Sequence, residues 1–142
     1  VLIAVLVLSI AFLGIAALQA MSLSTNNSAM ARSMATIASY SILDAMRADV
    51  GGARSGAYNT TVTASACAAG TSGSLASAQL YQWCTSQLGN KSIGAVASTT
   101  GKVSCSAVGI DSADCTITIT FDDSRAGVGG TSNQQVVTRA ML

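Results

Sequence analysis

The stretch that decides the fold is VLIAVLVLSIAFLGIAAL, residues 1–18. It holds twelve Val, Leu, Ile or Phe residues and four Ala, and Ser9 and Gly14 complete it. Large aliphatic side chains each favour membrane insertion by about 0.3–0.6 kcal/mol, so the whole run favours it by about 5 kcal/mol. As a helix the run is about 27 Å long, close to the ~30 Å hydrocarbon core of a bilayer. It therefore predicts a membrane-spanning helix.

Two other interpretations of this run stay open. A secretory signal peptide has a basic start, a shorter apolar region and a small-residue cleavage site. Residues 1–18 have no basic start and are longer than such a region, although Ala17 and Ala20 resemble a cleavage site. A helix buried in a protein core is the second alternative.

The helix is expected to continue beyond the membrane. Residues 19–49 contain no Pro or Gly, and apolar residues recur at helical spacing until Gly51-Gly52 supplies a stop. This predicts one helix of about 50 residues, about 75 Å long. Residues 1–24 form its apolar half, and residues 25–142 form the head, which includes the amphipathic half of the helix, residues 25–50. The apolar residues expected to hold this half on the head are Met30, Met34, Ile37, Ile42 and Met46.

The remainder of the chain predicts a small head of mixed structure. A loop with a short strand near residues 60–63 precedes a short helix over residues 74–88, capped by Ser74 or Ser77 and ended by Gly89-Asn90. Strands follow at residues 102–108, 115–121 and 134–142, and the middle one alternates most clearly. The predicted fold class is α+β, with a long N-terminal helix packed on a small antiparallel sheet.

The four cysteines, Cys67, Cys84, Cys105 and Cys115, are expected to form two disulfides. A zinc site needs closely paired ligands, which the spacing does not offer, and the chain has no His to activate a catalytic thiol. Small exported domains use disulfides to supplement thin cores. Four cysteines allow three connectivities, and the local pairing of Cys67 with Cys84 and of Cys105 with Cys115 is the simplest.

The composition disfavours an enzyme. The chain has no His and no Glu, only 9% of its residues are charged, and its formal net charge is +1. Histidine-based catalysis and Glu acid/base pairs are therefore excluded, and we expect no cofactor and no metal. Nucleic-acid binding needs clustered cations, and the seven Lys and Arg residues are scattered.

Several stretches resemble type IV pilins, and most closely the PilV-type minor pilins. The shared stretches are residues 1–10, residues 13–19, Asn26-Asn27-Ser28, residues 38–48 and Asp122-Asp123-Ser124-Arg125. The N-terminal part is common to all pilins and pseudopilins, whereas the last two stretches narrow the resemblance to the PilV type. The resemblance implies that a basic leader and about five residues, among them a Glu, precede Val1. Many pilins have a helix-bending Pro in the apolar half, and this chain has only Gly14 there.

The function that this resemblance implies is that of a minor pilin. Such a subunit waits in the inner membrane with its head in the periplasm, contacts lipid and the assembly machinery, and then enters an extracellular pilus near its tip. The implied partners are other minor pilins, the major pilin and a tip adhesin. The residues expected to lie in the membrane and then in the filament core are Val1, Leu2, Ile3, Val5, Leu6, Val7, Leu8, Ile10, Phe12, Leu13, Ile15 and Leu18.

Three interpretations apply to the charged stretch of Asp122, Asp123 and Arg125. It is a solvated turn after a strand, whose Asp side chains accept from nearby backbone N–H groups, a contact with a neighbouring subunit, or a calcium site. For the whole chain, the alternatives to a minor pilin are a minor pseudopilin of type II secretion and a single-pass membrane protein with a small disulfide-bonded exported domain.

Overall fold

The structure of the chain is a computed structural model, which describes residues 1–89, 93, 97–127 and 129–142. A long helix leads into a small head of short helices and four strands. The elements are α1 (Leu2–Arg47), α2 (Val50–Arg54), β1 (Thr60–Thr63), α3 (Leu75–Trp83), a π-helical turn (Cys84–Leu88), β2 (Thr100–Val108), β3 (Ser112–Phe121), a 3-10 turn (Ser124–Ala126) and β4 (Gln134–Met141).

The four strands form one antiparallel sheet in the order β1-β2-β3-β4. Along β3 every second side chain is buried, and the buried set includes Cys115, Ile117, Ile119 and Phe121. This two-residue period places one face of the sheet on the core and leaves Thr and Ser on the other. The predicted α+β class, with a long helix on an antiparallel sheet and two disulfides, is confirmed.

The face of α1 that packs on the head consists mainly of small residues. The buried positions are Ser28, Ala31, Ala35, Ala38, Ser39, Ile42, Leu43 and Met46. Ile42 and Met46 are buried and Met34 is half-buried against the core, as expected. The expectation was wrong for Met30 and Ile37, which are 62% and 54% exposed. Ala31, Ala35 and Ala38 pack on the head in their place, because small side chains let the helix approach the head closely.

The end of α1 also differs from the prediction. The helix ends at Arg47, and Gly51-Gly52 lies inside α2 instead of ending α1. Asp49 begins α2, because its carboxylate accepts a hydrogen bond from the Gly52 N–H at 3.1 Å. The predicted cap of α3 is confirmed: Ser74 accepts from the Ser77 N–H at 3.2 Å. Asn90 lies outside the described residues.

Two polar contacts position α3 in the core. The buried indole of Trp83 donates to the Ala38 carbonyl of α1 at 2.8 Å. The buried Tyr58 hydroxyl bonds to Asp49 at 3.1 Å and to Gln79. Burial, then the contact with the Asp49 carboxylate, raises the pKa of Tyr58 above its ordinary range. Tyr58 therefore stays protonated, and its hydroxyl links α3 to the start of α2.

The disulfides join the pairs that the spacing favoured. Cys67 is bonded to Cys84, which ties the loop after β1 to the π-helical turn. Cys105 is bonded to Cys115, and these two residues lie directly opposite each other on β2 and β3. Loops of this length make each bridge worth about 2–3 kcal/mol of stability.

Candidate functional site

The most prominent feature is the part of α1 that projects from the head, residues 2–27, which we call the stalk. An eighteen-residue window of α1 has a mean hydropathy of 2.6, and none of it is buried. The stalk is about 39 Å long at 1.5 Å per residue, and the first charged residue of the chain, Arg32, lies beyond it. All twelve residues predicted to face the membrane or a filament core are more than half exposed.

The exposure of the stalk shows that it is not a core helix. Soluble monomers rarely expose contiguous apolar patches larger than a few hundred Å², and the stalk exposes large apolar side chains on all its sides. A helix that is apolar all round belongs in a membrane or among other helices. Its length and composition suffice to cross a bilayer.

An exposed apolar seam continues from the stalk along the head. Leu23, Met30 and Ile37 are 65%, 62% and 54% exposed and recur every seven residues. Seven-residue spacing aligns side chains along one side of a helix, as in a contact between two helices. We expected Met30 and Ile37 to hold the head, whereas they lie on roughly the opposite side of α1 from the packed face. The seven-residue recurrence was the signal in the sequence that would have identified this seam.

The stalk meets the head at a loop between β3 and β4, of which residues 122–127 and 129–133 are described and which we call the junction loop. The Asp123 carboxylate is buried and accepts from the Ser28 hydroxyl at 2.5 Å and from Arg32 Nη2 at 3.4 Å. The Ser24 hydroxyl donates to the Arg125 carbonyl at 2.7 Å. These contacts fix the position of the junction loop against α1, just above the apolar stalk.

The structure separates the roles of the three charged residues in this loop. Asp123 is buried against its own helix, where it contacts Ser28 and Arg32, and a contact of this stretch with a neighbouring subunit stays a prediction. Asp122 accepts from the Ser124 N–H at 2.8 Å, as a turn residue does, and hydrogen bonds from Ser124 lower its pKa. Arg125 is exposed, and its contact with another subunit stays a prediction. Within the described residues, no group of three or more His, Cys, Asp or Glu side chains is placed to hold a metal ion.

The outer face of the sheet carries an ion pair near the end of β4. Arg139 contacts the Asp114 carboxylate of β3 through two of its nitrogens. Hydrogen bonding to Arg139 lowers the pKa of Asp114 and raises that of Arg139. The pair lies across neighbouring strands, with Arg139 exposed and Asp114 half-buried, and such opposite-charge pairs stabilise a sheet.

Comparisons with protein-family models, with curated proteins and with solved structures found no match to this chain. The architecture of the chain is a long apolar helix, exposed and suited to membrane anchoring, which continues without a break into a disulfide-bonded antiparallel head.

Proposed function

We propose that the chain is a minor pilin subunit of a type IV pilus, which anchors in the inner membrane and then enters the filament near its tip. The observation that carries this proposal is the uncharged stalk, whose apolar part is exposed and which continues as the helix that packs on the head. A simple membrane tether does not need to be continuous with the helix that organises the head. A subunit whose stalk is transferred from lipid to a filament core needs this continuity, because the head must move together with the stalk.

The composition of the stalk suits both environments. The burial of apolar surface is worth about 25 cal/mol per Å², whether lipid tails or neighbouring helices cover it. The stalk has no charge that would need a partner in either place. Inside a bilayer a charge at the helix centre costs about 2.5–3.5 kcal/mol, so the absence of charge keeps both states accessible to one sequence.

The seam of Leu23, Met30 and Ile37 supports packing beside other helices. Met30 and Ile37 stay exposed where the head already covers the other side of α1, and Leu23 continues the seam onto the stalk. A neighbouring subunit's stalk that lay along α1 would cover the seam in the manner of two packed helices. The proposal therefore assigns lateral contacts with the major pilin and other minor pilins to this seam, and no catalytic activity to the head.

The assignment to the minor class rests on the resemblance of residues 38–48 and 122–125 to PilV-type pilins. In this assignment the chain primes assembly with other minor pilins and does not form filaments alone. Deletion of its gene should then reduce surface pili, and twitching or adhesion with them, while the major subunit is still made.

The experiment compares Leu8→Asp with the control Leu8→Met in the organism that encodes the chain. Leu8 is 58% exposed on the stalk, so neither change disturbs the head. Surface filaments are sheared off and probed for the chain. We expect Leu8→Met to be present in the filaments and Leu8→Asp to be absent and to reproduce the loss of pili. Normal piliation with Leu8→Asp would contradict the proposal.

A further inference from the structure

The junction loop lies at the level where the apolar stalk ends. Leu23 is the last large exposed apolar residue of the stalk, and Ser24 follows it directly. The Ser24 hydroxyl donates to the Arg125 carbonyl at 2.7 Å, so the turn at residues 124–126 is fixed at this height. Because α1 is continuous from stalk to head, the depth of the stalk in a bilayer determines the height of this turn above it.

This height corresponds to the headgroup region of a membrane. Each headgroup layer is about 5–7 Å thick beyond the hydrocarbon core. Ser24 is one helical step, about 1.5 Å, beyond the last apolar residue, and Arg32 is about 12 Å further along. Side chains on a helix point toward its N-terminus, which for Arg32 is the direction of the membrane. The turn that carries Arg125 therefore lies at the headgroup level, while the Arg32 side chain is directed toward that level from above.

A shallow cavity of about 270 Å³ opens between α1 and the junction loop. Small and hydroxyl side chains line most of the cavity, and Arg32 is the one charged residue in its wall. The lining residues are Thr25, Ser28, Ala29, Arg32, Ala126 and Gly129. Gly129 has φ = +95°, a conformation that other residues rarely adopt. The small walls permit close approach by a headgroup-sized molecule.

Arg32 lines this cavity, and Asp122, Asp123 and Arg125 lie in the junction loop; these four charges sum to zero, but they are not equally engaged. Asp123 is buried against Ser28 and Arg32, and Asp122 accepts within its own turn. Arg125 is exposed, and its guanidinium forms no hydrogen bond or ion pair among the residues that the structure describes. Arg32 makes only long contacts, at 3.4 Å to Asp123 and to Gln134. The Arg125 guanidinium therefore keeps its N–H donors available, although its positive charge also acts on the nearby Asp122 carboxylate, whose pKa is lowered.

We propose that the junction loop binds phosphodiester groups of membrane lipid while the stalk is in the bilayer. Arg125, which precedes the lining residue Ala126 but does not itself line the cavity, is the main ligand, and Arg32 lines the cavity. A guanidinium offers two parallel N–H donors to a phosphate, which gives both strength and orientation. The contact presses the head onto the membrane surface and is released when the subunit leaves the bilayer. This inference rests on membrane anchoring and not on incorporation into a filament. A result that contradicts lipid binding would therefore leave the pilin assignment untouched, and the reverse also holds.

The test measures backbone hydrogen exchange of residues 122–133 in the full chain inserted into vesicles. One set of vesicles contains phosphatidylglycerol and phosphatidylcholine, and the other contains digalactosyldiacylglycerol, which has no phosphate. A third sample adds inorganic phosphate to the galactolipid vesicles. Arg125→Gln, Arg125→Lys and Arg47→Gln are measured in the phospholipid. Arg47 is the matched control, because it lies at the far end of α1 in an exposed pair with Asp44.

We expect exchange in the junction loop to be about fivefold slower in phospholipid than in galactolipid, which corresponds to about 1 kcal/mol for one arginine at such a surface. Arg125→Gln should remove this protection, whereas Arg125→Lys and Arg47→Gln should keep most of it. Equal exchange in the two lipids, or full protection in Arg125→Gln, would overturn the proposal. Protection restored by inorganic phosphate would show that the ligand is a free anion, and would overturn the assignment to lipid.

Discussion

The substitution Asp123→Ala is expected to loosen the head from α1 and to lower its free energy of unfolding by about 2–3 kcal/mol. Asp123 is 6% exposed and accepts from the Ser28 hydroxyl at 2.5 Å. A hydrogen bond to a charged group is worth about 1.5–3 kcal/mol. Its pair with the half-exposed Arg32, at 3.4 Å, adds at most about 1 kcal/mol because solvent screens it.

The assay for this prediction is urea unfolding of the detergent-solubilised full chain, followed by the fluorescence of Trp83. Asp111→Ala is the control, since Asp111 is exposed at the turn between β2 and β3, and such a change costs less than about 0.5 kcal/mol. In a double-mutant cycle, Ser28→Ala should cost less in the Asp123→Ala background than in the wild type. If Asp123→Ala cost no more than Asp111→Ala, our account of the junction would be refuted.

Three further predictions concern the head and are measured by the same unfolding assay. Ile42→Ala should cost about 2–5 kcal/mol and Ile37→Ala less than about 1 kcal/mol, because Ile42 is buried and Ile37 is exposed; equal costs would contradict the assigned face of α1. Gly101→Ala should cost about 1–3 kcal/mol, since a Cβ there would overlap an indole ring, and a neutral result would contradict this contact. Arg139 lowers the pKa of Asp114, so the pair stabilises the fold above about pH 4 and this contribution is lost as the pH falls further. Arg139→Gln should flatten the dependence of stability on pH in this acid range, and an unchanged pH profile would contradict the role of the pair.

The features that the sequence predicts well are those with strong local signals. Residues 1–18 are apolar at nearly every position, and β3 alternates over ten residues, so neither depends on distant contacts. The disulfide pairing follows from short loop lengths, and the structure places Cys105 directly opposite Cys115.

The features that the sequence does not predict depend on tertiary packing. Hydrophobicity favours Met30 and Ile37 as the packed face, but close approach to the head selects Ala35 and Ala38 instead. Small side chains carry little hydropathy signal, although they decide how near a helix can lie. The sequence around Asp123 predicts a solvated turn. Only the fold brings Asp123 to Ser28, which is 95 residues away along the chain.

The most direct test of the central claim is quantitative mass spectrometry of sheared surface filaments from cells that express the chain at its native level. The proposal predicts that the chain is present in the filaments in small amounts relative to the major subunit, with the rest in the inner-membrane fraction. Complete absence from the filaments, with all of the chain in the membrane, would contradict its role as a pilin. A chain found as the dominant filament subunit would contradict its role as a minor one.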